Sequence, residues 1–95
     1  MSSHVYILSS RPFGTLYIGV TSDLGRRMVE HKTAVHAGFA SRYGVNRLVW
    51  MEEYPRIVDA IAREKMLKKW RRAWKVALIE ATNPQWDDLF ETLNQ

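Results

Sequence analysis

The sequence predicts an α+β fold in which a three-stranded, mainly antiparallel sheet is flanked by helices. Short segments rich in β-branched and aromatic residues come first, and apolar residues recur at helical spacing from residue 57 onward. Proline and glycine residues separate several of these segments. The chain has 95 residues, of which 46% are hydrophobic, so we expect one domain over residues 1–95 with one modest core.

The first two strands are predicted over residues 4–10 and 15–21 and form a hairpin. Both segments alternate around β-branched and aromatic side chains, and Pro12 and Gly14 supply turn chemistry between them. Each strand carries one tyrosine.

Tyr6 and Tyr17 are the most informative pair in this hairpin. If the turn is centred on Arg11–Pro12, the antiparallel register pairs Tyr6 with Tyr17 and Leu8 with Thr15. The two hydroxyls then lie side by side on an exposed sheet face that the core does not need. The alternative is an aromatic cross-strand pair that only stabilises the hairpin.

A helix is predicted over residues 23–33, directly after the second strand, because cap-forming residues precede apolar residues spaced four apart. Arg27 and His31 are also four apart and project from one face of this helix. A cation and an imidazole would therefore adjoin the two phenols. The alternative is a solvated helix face, which the neighbouring pair Arg26 and Glu30 resembles.

A third strand is predicted over residues 47–54, since this segment alternates and Pro55 stops it. A glycine-containing loop is expected before it at 37–44. The helix that follows is predicted over residues 57–70.

The C-terminal part is predicted to be helical. A break at 71–73 introduces a second helix that runs through Glu80 and ends before Asn83–Pro84. We expect a helical extension from about residue 81, in which a short amphipathic helix packs back on the domain. Its apolar residues are Trp86, Leu89, Phe90 and Leu93.

Glu64 lies within the apolar stripe of the helix at 57–70. An ionised carboxylate is seldom buried unless a cation, a metal ion or hydrogen bonds compensate for its lost hydration. We therefore expect a positive partner for Glu64. Two kinds remain open: a metal ion, or an internal ion pair with Arg27 or a lysine.

Basic residues are concentrated in one part of a chain whose formal net charge is +4. Between residues 63 and 75 the only acid is Glu64, whereas four acids and no lysine or arginine occur from Glu80 onward. Such a patch attracts phosphate backbones, although a basic run can also be a solvated helix face. The predicted nucleic-acid contacts are Arg63, Lys65, Lys68, Lys69, Arg71, Arg72 and Lys75.

Trp70 and Trp74 interleave with these basic residues at a spacing of four. They could stack on unpaired bases, but Ala77 and Leu78 extend the same stripe, so the spacing favours core anchors.

Composition excludes several classes of protein. The chain has no cysteine, so disulfides, thiol catalysis and thiolate zinc sites are excluded, and a cytoplasmic location is expected. The N-terminus lacks a signal-peptide pattern and no apolar run is long enough to span a membrane, so we expect no membrane partner. The three histidines, His4, His31 and His36, are not spaced as a metal-binding helix motif.

A spaced set of motifs resembles the GIY-YIG nuclease family, from about residue 4 to about residue 78. Tyr17-Ile18-Gly19 is an intact second tripeptide, whereas His4-Val5-Tyr6 keeps only the tyrosine of the first. Arg26-Arg27 then precede His31 as in the family. Later motifs are similar to the small stand-alone branch of the family, and they are Tyr54-Pro55, Ala60, Arg63-Glu64 and Lys68-Lys69-Trp70.

The resemblance implies an endonuclease that hydrolyses phosphodiester bonds with one divalent metal, Mg²⁺ or Mn²⁺, and with DNA as the expected substrate. The active-site positions it implies are Tyr6, Tyr17, Arg27, His31 and Glu64. Glu64 would be the only direct protein ligand of the metal. Tyr6 would act as general base or position the attacking water, although His31 could accept the proton instead.

The sequence also departs from the family. Several family nucleases have an asparagine about a dozen residues after the glutamate, where Val76 stands here. With the degenerate first tripeptide, this keeps open a nucleic-acid-binding module without catalysis. A third alternative is a protein-interaction domain in which the five residues form a structural polar cluster.

Overall fold

The computed structural model describes residues 2–33 and 44–94. Its secondary structure follows the predicted order, and the predicted loop at 37–44 lies outside the described residues except for Gly44. The elements are β1 (Ser3–Ser9), β2 (Leu16–Thr21), α1 (Leu24–Thr33), β3 (Arg47–Tyr54), α2 (Ile57–Lys69), α3 (Arg72–Thr82) and a 3₁₀ helix (Leu89–Asn94).

The predicted α+β class is confirmed. The three strands form one sheet in the spatial order β2-β1-β3, and the central strand β1 is antiparallel to both neighbours. Ile7 pairs with Trp50 and Leu8 with Leu48, so β3 has a bulge at Val49. Among the described residues, no helix is long and apolar enough to cross a membrane.

The predicted register of the hairpin is wrong by two residues. Tyr6 pairs with Gly19, and Tyr17 pairs with Leu8. The cause is the turn, which closes through a hydrogen bond from Gly14 N–H to the Arg11 carbonyl and is therefore centred one residue later than expected. Pro12 precedes a residue with a φ of 59°, which is the positive value that type II turns need at this position.

A shift of two residues leaves every side chain on its original face of the sheet. The two tyrosines therefore still share one face, but as diagonal rather than directly opposed neighbours.

Both faces of the sheet are covered. One face packs under α2 and α3, with a core of Val5, Ile7, Ile18, Val49, Trp50, Ala60, Leu67, Ile79 and Trp86. The other packs under α1 and the 3₁₀ helix, with a core of Tyr6, Leu8, Leu24, Met28, Val45 and Leu48. The expectation of an exposed tyrosine face is therefore wrong for Tyr6, which is 1% exposed.

The break between the two long helices comes slightly earlier than predicted. Trp70 and Arg71 have extended ψ values of 151° and 153°, and α3 then continues to Thr82 before Asn83 caps it. Because Trp70 and Trp74 lie on opposite sides of this break, their spacing of four does not place them on one helical stripe. Trp70 packs against the core, but Trp74 is 51% exposed, so its prediction as a core anchor is wrong.

The C-terminal residues pack back on the sheet through a polar clamp and apolar contacts. The Asp88 carboxylate accepts hydrogen bonds from Lys32 Nζ and from the backbone N–H groups of Leu48 and Phe90. The predicted short helix is present as the 3₁₀ helix, whereas Trp86 precedes it with a φ of 57°. This clamp joins the end of α1, the start of β3 and the C-terminal segment.

Candidate active site

The β1–β2 hairpin places the phenol rings of Tyr6 and Tyr17 next to each other. The ring centroids of Tyr6 and Tyr17 are 6.3 Å apart with an interplanar angle of 38°. Tyr6 is buried in the core under α1, whereas Tyr17 on the edge strand β2 is half-buried. The two rings thus connect the interior of the domain to its surface.

Gly19 makes room for the ring of Tyr6 at the paired position. A Cβ atom added at Gly19 would lie 2.5 Å from Cζ of Tyr6, and still closer to its hydroxyl oxygen. Real Cβ atoms essentially never approach other heavy atoms so closely. The glycine of Tyr17-Ile18-Gly19 is therefore required for the position of the Tyr6 hydroxyl.

Helix α1 brings an imidazole to the same hydroxyl. The helix begins after Asp23, whose side chain accepts a hydrogen bond from Arg26 N–H at 3.1 Å. Two turns later, His31 Nε2 lies 3.2 Å from the Tyr6 hydroxyl oxygen in a hydrogen bond. The imidazole also meets both tyrosine rings edge-on, at centroid distances of 5.9 and 5.6 Å.

Arg27 and Glu64 act on this cluster through their charges. The charge of Arg27 lowers the pKa of Tyr6 and that of Glu64 raises it. The Arg27 side chain is 43% exposed and lies 3.6 Å from Glu30. All five predicted site residues therefore lie close enough together to contact or influence the Tyr6 hydroxyl.

The cation that meets Glu64 is Lys68, one turn further along α2. Lys68 Nζ is 3.6 Å from Glu64 Oε1, and the side chains are 56% and 15% exposed respectively. Of the two ion-pair partners considered, the lysine is present and Arg27 is paired elsewhere. Because Lys68 is half-exposed, the pair is a weak one that leaves the carboxylate able to bind a second cation.

Burial fixes the protonation of the Tyr6–His31 pair. Desolvation, followed by the influence of Tyr17, Glu64 and Glu30, raises the pKa of Tyr6 well above its usual value of 10.0, against the opposing charge of Arg27. Desolvation and then Arg27 lower the pKa of His31 below 6.5. At neutral pH the pair is therefore a phenol beside a neutral imidazole.

Glu64 is the carboxylate of this site that could hold a divalent metal, because the other nearby carboxylate, Glu30, is paired with Arg26 and Arg27. Within residues 2–33 and 44–94, no three histidine, aspartate or glutamate side chains are grouped closely enough to hold a metal ion. Mg²⁺ is commonly bound through one or two carboxylates, with water and substrate phosphate as its other ligands. Glu64, mostly buried at 15% exposure, fits this type of site.

Two of the seven predicted basic contacts are hydrogen-bonded to other parts of the fold, in addition to the ion pair of Lys68 with Glu64 on its own helix. Arg63 Nε donates to Glu52 Oε1 at 3.1 Å, and Tyr54 donates to the same oxygen. One terminal nitrogen of Arg72 donates to the carbonyls of Phe13 and Gly14, both at 2.7 Å, and so holds the hairpin turn. The other five cations are exposed or half-buried, and they are Lys65, Lys68, Lys69, Arg71 and Lys75.

Two open clefts flank the site, each about 300 Å³ in volume. The first lies at the start of α1 and is lined by Thr21, Ser22, Asp23, Arg26, Arg27 and Glu30. The second lies between β2 and the helices α2 and α3, and it is lined by Leu16, Tyr17, Ile18, Lys68 and Lys75. Each cleft contains one predicted catalytic residue and at least one further cation.

The structure adds two features that the sequence analysis missed. The close packing of the Tyr6 ring on Gly19 could have been predicted from the sequence, because a glycine inside a strand often marks the close approach of another group. The cleft beside Tyr17 could not have been predicted in this way, since only folding brings Lys68 and Lys75 to β2.

Val76, which stands where several family nucleases have an asparagine, is half-buried against the core. The amide of Asn83 donates hydrogen bonds to the carbonyls of Val49 and Asp87, at 3.1 and 2.9 Å, and so stabilises the fold.

Comparison with known proteins gives consistent results. The GIY-YIG catalytic domain family matches residues 2–77. A UPF0213 protein of Halobacterium salinarum is 35% identical over 79 residues, which cover 79% of this chain and 96% of that protein. A UPF0213 protein of Staphylococcus epidermidis is 30% identical over 81 residues, covering 84% and 98%.

A solved structure agrees with the fold. The solution NMR structure of a UPF0213 protein from Bacillus halodurans has a TM-score of 0.58 and 28% identity, and the match covers 93% of each chain. With the family match over residues 2–77 and relatives of nearly the same length, these findings show that the chain belongs to the GIY-YIG domain family, among its small UPF0213 proteins.

Proposed function

We propose that this protein is a metal-dependent endonuclease that hydrolyses phosphodiester bonds in DNA. Membership of the GIY-YIG domain family supports a nuclease-type function. The observation that carries the finer proposal is the hydrogen bond between the Tyr6 hydroxyl and His31 Nε2, set between Tyr17, the cation Arg27 and the carboxylate of Glu64.

Water activation is proposed to run through Tyr6 to His31. The Tyr6 hydroxyl gives its proton to His31 Nε2 as it accepts a proton from the attacking water, so that the phenol remains neutral overall. This route avoids a free phenolate, which the raised pKa of Tyr6 makes costly. It requires His31 to be neutral with Nε2 unprotonated, and the lowered pKa of His31 favours the neutral form.

The phosphate is proposed to lie between Arg27 and Tyr17. Arg27, whose side chain is 43% exposed, can donate two parallel hydrogen bonds from its guanidinium to phosphate oxygens and offset the charge that develops on them. Tyr17 lines the cleft beside α2 and would hydrogen-bond the phosphate or the attacking water.

Glu64 is proposed to hold the divalent metal, Mg²⁺ or Mn²⁺. GIY-YIG nucleases are generally dependent on a divalent metal. When bound, such an ion supplies positive charge that stabilises the developing phosphorane and the leaving 3′ oxygen. Lys68, 3.6 Å from Glu64 and half-exposed, would be free to turn towards a phosphate if Glu64 held the metal.

Nucleic acid is the proposed partner because the exposed cations surround the site. Five of the seven cations between residues 63 and 75 remain for phosphate contacts. Hydrolysis by an activated water needs no ribose 2′-hydroxyl, so the proposed chemistry applies to DNA.

The first test of this function is cleavage by the parental protein and by Glu64→Gln. With Mg²⁺ or Mn²⁺, we expect the parental protein to cut labelled DNA and Glu64→Gln to cut it at least about 100-fold more slowly, because loss of metal stabilisation costs several kcal/mol. Binding should persist. The free energy of unfolding should fall by no more than about 1 kcal/mol, since the pair with Lys68 is largely solvated.

Glu53→Gln is the matched control, because it removes the same charge from an exposed position on β3 and should leave cleavage unchanged. If Glu64 were instead half of a strong buried ion pair, Glu64→Gln would lose about 3–5 kcal/mol of stability. A destabilised variant that cuts at the parental rate would remove Glu64 from the site, and parental protein that never cuts would contradict the proposed function.

A second prediction concerns the pH at which His31 titrates. Because burial and Arg27 both lower its pKa, an NMR titration should give a midpoint below 6.5, and cleavage should rise with pH through the same range. Arg27→Gln removes one of the two causes, so the midpoint should move upward. Arg26→Gln, which removes the neighbouring arginine of α1, should move it less. An equal shift in both variants would contradict the direct influence of Arg27.

A third prediction tests whether position 19 must lack a side chain for the Tyr6 ring to keep its place. Gly19→Ala should displace the Tyr6 ring, break its hydrogen bond to His31 and slow cleavage by about 100-fold or more, the usual size of a general acid–base contribution. Overpacking should also cost about 1–3 kcal/mol of unfolding free energy. Activity assays and chemical denaturation measure the two effects.

Gly25→Ala is its matched control. The nearest atom to a Cβ at Gly25 is 4.0 Å away, and alanine is the better helix former by about 0.5–1 kcal/mol, so this variant should be active and slightly stabilised. A Gly19→Ala protein that cuts as fast as Gly25→Ala would show that the position of the Tyr6 ring is not important for cleavage.

A further inference from the structure

Trp74 is an exposed tryptophan in the basic part of the surface, and the proposed chemistry does not use it. Its side chain is 51% exposed, although burial of an indole is a large favourable contribution in a small domain. The guanidinium carbon of Arg71 lies 5.3 Å from the centroid of the Trp74 ring. The indole therefore forms part of a cationic surface.

Trp74 also continues a row of planar groups. Its ring meets that of Trp70 at 86° with 6.0 Å between centroids, and the guanidinium carbon of Arg63 lies 5.2 Å from the Trp70 ring. The inner end of the row is fixed, because Arg63 is hydrogen-bonded to Glu52 at 3.1 Å. The outer end, at Trp74 and Arg71, is open to solvent.

One chain neighbour of Trp74 lines the cleft beside Tyr17. Lys75 follows Trp74 in the chain and lines that cleft together with Lys68. Lys68 is in turn 3.6 Å from Glu64. Two cations that can hold a phosphate, Lys68 and Lys75, therefore share a cleft with Tyr17, and one of them is paired with Glu64.

An exposed indole with cations around it suits an unpaired nucleobase. Bases of a single strand stack on aromatic side chains, while nearby lysine and arginine residues follow the backbone phosphates. A base within a duplex already has stacked neighbours on both faces, so it gains little from Trp74.

We propose that the protein binds DNA with an unpaired nucleotide beside the cleaved bond, with the base stacked on Trp74 and its phosphate held by Lys68 and Lys75. The inference rests on the proposed nuclease function and narrows its substrates to single strands and to junctions between single and double strands. Blunt duplex DNA is the disfavoured substrate.

Binding without metal tests this inference separately from cleavage. In EDTA, fluorescence anisotropy would compare a labelled oligodeoxythymidylate of about 12 nucleotides with a labelled blunt duplex of about 12 base pairs, formed from two complementary strands. We expect Trp74→Ala to weaken binding of the single strand by about 5- to 100-fold, the usual effect of losing one stacked base. Binding of the blunt duplex should change by less than about twofold.

Two further variants make the test specific. Trp74→Phe keeps an aromatic face, so it should retain most of the single-strand affinity of the parent. If Trp74→Ala fails to fold, Trp74→Leu replaces it as the variant without an aromatic ring. Val58→Ala removes an apolar side chain that is 54% exposed at the start of α2, on a different helix from Trp74, and should bind both probes as the parent does.

An unchanged single-strand affinity in Trp74→Ala, or an equal loss on both probes, would overturn the inference. Cleavage of a flapped DNA with Mg²⁺ separates its failure from that of the proposed function. A parent that cuts flapped DNA while Trp74→Ala binds and cuts equally well would leave the function standing and overturn the inference. A parent that binds single strands through Trp74 but never cuts would overturn the function, and with it the position of the nucleotide beside a cleaved bond.

Discussion

The packing of the Tyr6 ring against the backbone of Gly19 is the contact on which the rest of the site depends. No side chain larger than that of glycine fits opposite Tyr6 in the register of the hairpin, because an added Cβ would lie 2.5 Å from the ring. Covering the ring with α1 brings His31 within 3.2 Å of the hydroxyl. One close approach between strands thus determines both the position of the phenol and its partner.

The same burial determines the chemistry that the pair can perform. It raises the pKa of Tyr6 and lowers that of His31, so a phenolate is disfavoured and a neutral imidazole is favoured. The charged residues of the site, Arg27 and Glu64, lie towards solvent from the phenol, with side chains 43% and 15% exposed. In the proposed mechanism, proton transfer therefore takes place at the buried Tyr6–His31 pair, and phosphate and metal bind nearer the surface, at Arg27 and Glu64.

The order and type of the elements followed from the sequence because each strand and helix has a clear period and each is bounded by turn or cap residues. The hairpin register did not, since it depends on whether the turn is centred on Arg11–Pro12 or one residue later. The exposure of Trp74 was missed because the spacing of four was applied across the predicted break at 71–73, where helical periodicity does not hold. The contacts that hold Arg63 and Arg72 join residues distant in sequence, which periodicity does not predict.

The site residues were grouped by family resemblance more than by spacing. From the residues alone, Glu64 only required a positive partner, and the Arg27–His31 pair resembled an ordinary helix surface. The fold brings Glu64, Arg27 and His31 close to the Tyr6 hydroxyl, and an acid, a cation and an imidazole around one phenol are more typical of an active site than any of them alone. Their catalytic roles depend on whether that hydroxyl takes part in the reaction.

Tyr6→Phe tests this most directly, because it removes the hydroxyl and retains the ring that packs over Gly19. Single-turnover cleavage of labelled DNA with Mg²⁺ or Mn²⁺ should slow by about 100-fold or more, with unfolding and DNA binding close to those of the parent. Cleavage at the parental rate by a folded, DNA-binding Tyr6→Phe protein would contradict the proposed route from water through Tyr6 to His31.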